Sequence, residues 1–164
     1  MSLLSPKMEE LLNGQLKEEL KNAYLYLSMA AYFDGLGLRG FANYFKVQAK
    51  EELGHAMKMY EFIYGAGGRV SLGDLPKPKD SWSSVINAVE DFHAAEVENT
   101  KRFYRLMDES RREGNVSVES FLKWFVDEQV EEVSSAADLL AKVKMIGDHK
   151  SALLVLDYKL AERK

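Results

Sequence analysis

The 164-residue sequence predicts an all-α protein, a four-helix bundle with one long crossover connection and a short C-terminal fifth helix. Three observations predict it. Apolar residues recur at alternating spacings of four and three along four stretches of about 27–30 residues, the stripe of a core-facing helix. Glycine-rich turns separate these stretches, and the chain has only three prolines to interrupt a helix. One link, roughly Arg69 to Ser81 with Pro76 and Pro78, is long enough to travel the length of a bundle, so the second and third helices are expected to run parallel. We expect a single domain over 1–164, with helices at about 5–35, 38–65, 82–113, 116–146 and 149–163.

Ser5-Pro6 reads as a helix start, Ser as the cap and Pro in the first turn. The first stripe is Leu12, Leu16, Glu19, Ala23, Tyr26, Ala30 and Phe33, and the run Gly35 to Gly40 turns the chain into the second helix. The second stripe is Phe41, Phe45, Gln48, Glu52, His55, Met59 and Phe62, ending at Gly65-Ala66-Gly67-Gly68. The third starts near Ser81–Ser84 and carries Val85, Val89, Phe92, Glu96, Asn99, Phe103 and Leu106, with Gly114 closing it. The fourth reads Val118, Phe121, Phe125, Glu128, Glu132, Ser135, Leu139, Lys142 and Ile146, and Gly147 ends it. The fifth segment holds Leu153, Leu154, Val155, Leu156 and Leu160, apolar on more than one face, so part of it is expected to serve assembly.

Composition narrows the function. An apolar fraction of 46% and a charged fraction of 29% are those of a soluble globular chain. No apolar run approaches the length of a membrane span, and no secretory signal opens the chain. A net charge of −4 argues against nucleic-acid binding. The absence of cysteine excludes disulfides and thiolate metal sites, and fits a cytoplasmic protein.

Every long helix carries a stripe carboxylate near its midpoint: Glu19, Glu52, Glu96 and Glu128 or Glu132. Midpoints coincide in a bundle whichever way the helices run, so four carboxylates fall in one buried layer. No Lys or Arg lies on the stripes near that layer. Uncompensated, the carboxylates would repel and be largely protonated. Two divalent cations would neutralise four carboxylates, and His55, one turn from Glu52, adds an imidazole. Oxygen-rich ligation with one imidazole suits Fe or Mn and admits Zn. An internal repeat agrees: Glu19 to Glu52 and Glu96 to Gln129 are both 33 residues, with His55 and Glu132 each three further on.

The stretches Ala23–Met29, Gln48–Glu52 through His55-Ala56-Met57, and above all Phe121–Glu132 carry a resemblance. The sequence resembles the bacterial and archaeal non-haem ferritins over essentially its whole length. That implies a ferritin-like fold and an iron-storage protein with ferroxidase activity. Fe(II) would be oxidised to Fe(III) at a dinuclear centre by dioxygen or hydrogen peroxide and stored as ferric oxide in a homo-oligomeric cage of 24 chains. By resemblance Glu19, Glu52 and His55 form the first iron site, Glu52 bridges, and Glu96 with Glu132 completes the second. Glu51, Glu128 and Glu131, with Glu132, match a third iron site. Tyr26 matches the tyrosine beside the centre, Trp124 the adjacent tryptophan, and Gln129 a glutamine that supports the ligands. The chain departs from the family at Lys21-Asn22 and at Ala95, none of them ligands.

Di-iron carboxylate bundles of the ferritin-like kind carry Glu-x-x-His on both helix pairs; here the second reads Gln129-x-x-Glu132. That departure favours labile iron over two alternatives, a rubrerythrin-like di-iron peroxidase and a non-catalytic bundle whose carboxylates specify register. A further Glu-x-x-His, Glu90 and His93, lies one residue off the third stripe and reads as a solvated face. His149 opens the fifth helix with no carboxylate partner at ligand spacing. Met57 and Met59 read as packing residues, and no haem is expected.

Overall fold

The computed structural model describes every residue from Met1 to Lys164. It has five helices: α1 Pro6–Gly35, α2 Arg39–Gly65, α3 Val85–Arg112, α4 Val116–Ile146 and α5 Lys150–Leu160. None is long and apolar enough to cross a membrane.

Ser5 caps α1 by accepting the Met8 N–H at 3.0 Å, with Pro6 in the first turn. At the other end Leu38 N–H donates to the Phe33 carbonyl and Gly37 N–H to that of Asp34, a Schellman pair that needs the positive φ of Gly37, 76°. α2 then begins with no side-chain cap of its own. Asp157 of α5 supplies one, its carboxylate accepting the Phe41 N–H at 2.9 Å. Gly40 permits that approach: a Cβ there would lie 1.6 Å from the Asp157 carbonyl oxygen.

The crossover is pinned along α1. Near the start of α1, Asn13 donates to the Arg69 carbonyl and accepts the Ser71 N–H. Further along, Ser28 donates to the Lys79 carbonyl, and the Trp82 ring meets Tyr32 edge-on. The link therefore travels the length of α1, which makes α2 and α3 parallel to each other and antiparallel to α1. α3 begins at Val85, later than the expected residue 82, because Ser84 is the cap and Trp82 turns into the core. α5 stops at Leu160, short of the expected residue 163, where the chain turns back onto Asn43 of α2.

The stripe expected on α4 is corrected. Its buried residues are Val118, Leu122, Phe125, Gln129, Glu132, Ala136, Leu139 and Val143. Phe121 and Glu128 are half-buried, and Ser135 and Lys142 are exposed. Both alternations share Val118, Phe125, Glu132 and Leu139. They part at the residues between, where burial selects Leu122 over Phe121, Gln129 over Glu128, Ala136 over Ser135 and Val143 over Lys142.

The core is split in two. Tyr26, Phe33, Phe41, Phe45, Phe92 and Leu139 belong to one apolar cluster. Leu12, Leu16, Met59, Phe103, Leu122 and Phe125 belong to the other. On every long helix the polar stripe residues fall between them, so a buried polar layer crosses the bundle at mid-height. Leu153, Leu156 and Leu160 of α5 pack on the first cluster, while Leu154, Val155 and Tyr158 stay exposed.

Candidate metal centre

Each helix delivers its polar residues to the layer by the same spacing that buries its apolar ones. α1 supplies Gln15 and Glu19, α2 Gln48, Glu52 and His55, α3 Glu96 and Asn99, and α4 Gln129 and Glu132, all buried. Isolated charges at this depth would be costly unless paired or hydrogen-bonded.

Glu19 is half-satisfied. Its Oε1 accepts from Gln15 Nε2 at 2.6 Å and from Asn99 Nδ2 at 3.2 Å, and Gln15 also donates to Asn99 Oδ1. Its Oε2 has no partner and lies 3.4 Å from His55 Nδ1. Glu52 Oε1 is 3.5 Å from the same nitrogen, and neither Glu52 oxygen accepts a hydrogen bond. His55 Nδ1 is itself without a well-aligned partner. Four buried, unsatisfied donor atoms thus face one another, with one atom of each of the three residues within 4.8 Å of the others. Such a set fits a divalent cation.

The other side of the layer is more fully hydrogen-bonded. Tyr26 donates its phenol O–H to Glu96. Gln129 donates to Glu96 Oε2 at 3.2 Å and approaches the Glu96 carbonyl and Thr100. Gln48 donates to Glu132 at 3.1 Å. His55, Glu128 and Glu132 form a second group of three with donor atoms within 4.8 Å. The residue common to the two groups is His55.

The electrostatics follow from burial. Burial raises the pKa of Glu52, and the charge of Glu19 adds to it while His55 opposes. Burial and then Glu132 push Glu96 to about 7, against hydrogen bonds from Tyr26 and Gln129. Glu132 is raised by burial and eased by Gln48. Burial disfavours the His55 imidazolium, but contacts with Glu19 and Glu52 outweigh it and carry the pKa up to about 11. Burial, then the charge of Glu96, holds the Tyr26 phenol well above its ordinary value. The layer holds more negative charge than it can keep without protons or cations.

The remaining sequence candidates sit around this layer. Trp124 is 40% exposed and lies edge-on to His55 with ring centres 5.6 Å apart, with Lys58 Nζ 4.3 Å from its own ring. Glu51 is half-buried and both its oxygens accept from Arg163. Glu131 is exposed and belongs to neither group. Glu90 is exposed, pairs with Lys144 and belongs to neither group. Met57 is 48% exposed and Met59 is in the core. Sequence reasoning missed Gln15 and gave no role to Gln48 and Asn99. The available signals were that Gln48 and Asn99 are polar on otherwise apolar stripes, and that Gln15 stands one turn before Glu19.

Residues 9–146 match the family model described as the ferritin-like domain. The chain is 37% identical over 161 residues to the bacterial non-heme ferritin of Staphylococcus haemolyticus (strain JCSC1435), covering 98% of this chain and 97% of that one. It is 38% identical, with the same coverage, to the bacterial non-heme ferritin of Staphylococcus aureus (strain USA300). Among solved structures, an open-pore ferritin from the hyperthermophilic archaeon Archaeoglobus fulgidus superposes with a TM-score of 0.98 at 46% identity over 100% of both chains. The chain therefore belongs to the ferritin-like domain family and, within it, to the non-haem ferritins.

Proposed function

We propose that this chain stores iron, oxidising Fe(II) to Fe(III) at a dinuclear centre in the polar layer and holding the product as ferric oxide inside a cage of 24 copies. The observation that carries the reading is the set of unsatisfied donor atoms on Glu19, Glu52 and His55, buried in a non-haem ferritin. Iron here is substrate and cargo. The first Fe(II) binds Glu19 Oε2, Glu52 and His55. The second binds Glu96 and Glu132 and shares Glu52. Two Fe(II) give up two electrons to dioxygen or hydrogen peroxide.

The chain's own residues set the geometry. Gln15 and Asn99 hold one Glu19 oxygen and leave the other for the metal. Tyr26 and Gln129 orient Glu96, and Gln48 orients Glu132. Cation binding displaces protons from His55 and the raised carboxyls. The α4 pair Gln129-x-x-Glu132 offers a carboxylate where a second histidine would hold the ion more firmly, which suits iron that must move on. With no cysteine in the chain, no thiolate-bound iron supplies electrons as a rubrerythrin-like peroxidase would want. Glu51, Glu128 and Glu131, with Glu132, take a third cation on the route out of the centre.

Stopped-flow absorbance after mixing the iron-free protein with Fe(II) in air tests the reading. Ferric absorbance should rise far faster than in buffer and lose that advantage in Glu52→Ala. Oxidation no faster than in buffer would overturn it.

A further inference from the structure

The third-cation residues are not all free. Beyond α5 the chain turns back on α2, where Asn43 Nδ2 donates to the carbonyls of Leu160 at 3.2 Å and Arg163 at 2.8 Å. That turn aims Arg163 at α2. Its Nη2 lies 2.9 and 3.1 Å from the two oxygens of Glu51, and its guanidinium carbon lies 4.3 Å from the centre of the Tyr44 ring. Tyr44 is buried and packs edge-on against Phe45 and Phe92, so this platform is part of the core. Nη1 of Arg163 is buried and has no partner. Glu128 and Glu132 have carboxylate oxygens within 4.8 Å of each other, and Glu51 adjoins Glu52 in the chain, its charge among those that raise the Glu132 carboxyl.

We propose that Arg163 is a built-in competitor for the third cation. Its guanidinium occupies Glu51 until a divalent ion takes that carboxylate, and the displacement loosens the last residues of the chain. The proposal rests on the assignment of Glu51, Glu128 and Glu131 to a third cation.

Two positive groups cannot both use the Glu51 oxygens without repulsion. The pair is weak enough to be displaced, since Glu51 is 40% and Arg163 27% exposed and one guanidinium nitrogen is unsatisfied. Once Glu51 is withdrawn, Arg163 keeps its Asn43 contact, the Tyr44 stacking and the turn hydrogen bond to Leu160, and loses its charged anchor on α2. Filling of the acidic face would thus be reported to the C-terminal segment, next to the exposed face of α5.

The test uses the assembled protein and Zn(II), which binds without oxidation. Calorimetric titration counts the cations and their affinities, and hydrogen exchange follows residues 159–164. Arg163→Gln should tighten the third cation on the order of fivefold and leave the first two unchanged. In the unsubstituted protein, the third equivalent should raise exchange in 159–164. Glu51→Gln should lose the third cation and show fast tail exchange before any metal is added. An unchanged third affinity in Arg163→Gln, or tail exchange indifferent to the third equivalent, overturns the proposal and leaves the third site standing. No third cation in either the unsubstituted protein or Arg163→Gln overturns the site assignment itself.

Discussion

At the residue scale, the division of labour within Glu19 is the most informative contact in the layer. One oxygen is held by two buried amides, and the other is left bare toward His55. Asn99→Leu keeps the branched shape but removes the donor to Glu19 and the acceptor for Gln15. We expect anaerobic Fe(II) affinity at the first site to fall about tenfold, as when a group supporting a metal ligand is lost; an unchanged titration would assign Asn99 to packing alone. Glu19, Glu52, His55, Glu96 and Glu132 were legible because a charge on an apolar stripe is conspicuous. Gln15 was not, because it lies off the stripe; its place one turn before Glu19 was the only local hint, and its role shows once Asn99, distant in the chain, is brought beside it.

The raised pKa of Glu96 gives a pH dependence with a definite sign. Its ordinary value is 4.5 and the fold lifts it to about 7. Between those values the folded, metal-free protein holds a proton that the unfolded chain releases, so stability falls as pH rises through that window. His55, lifted from 6.5 to about 11, contributes stability that is full below 6.5 and is lost as pH rises toward 11, the same direction. Differential scanning calorimetry from pH 5 to pH 8 should show the metal-free protein losing several degrees more than Glu96→Gln. Saturating Zn(II) should flatten the difference.

At the element scale, the capping of α2 depends on α5. Asp157→Ala removes the acceptor for the Phe41 N–H and should cost about 1 kcal/mol in chemical denaturation, the usual worth of a helix N-cap. Gly40→Ala should cost more, because the new methyl would meet the Asp157 backbone and push α5 away. Ser5 was readable as a cap, and the start of α3 near Ser81–Ser84, because both signals are local to their helices. Asp157 was not, since its partner lies in another element. The α4 stripe was misread for a related reason. Two alternations share Val118, Phe125, Glu132 and Leu139, and only packing against the other helices separates Gln129, which is buried, from Glu128, which is not.

At the scale of the whole molecule, the bundle is two apolar clusters separated by a layer poor in hydrogen-bond satisfaction. Helix count, chain direction and depth of the layer were all readable, because long stripes with midpoint carboxylates admit few arrangements. The surface is less complete. Leu154, Val155 and Tyr158 on α5, with Tyr24, Leu27, Leu53 and Tyr64 elsewhere, are large apolar side chains left to solvent. We expect analytical ultracentrifugation to find a 24-chain assembly, and Leu154→Asp with Val155→Asp to shift mass toward smaller species. An assembly unaffected by that pair would remove α5 from the contacts between chains.

The most direct test of the metal centre is an anomalous-difference map from crystals of the protein soaked with Fe(II) under anaerobic conditions. Two peaks are predicted inside each bundle, one against Glu19, Glu52 and His55 and one against Glu52, Glu96 and Glu132. Iron confined to surface carboxylates, with no peak in the buried layer, would contradict the account.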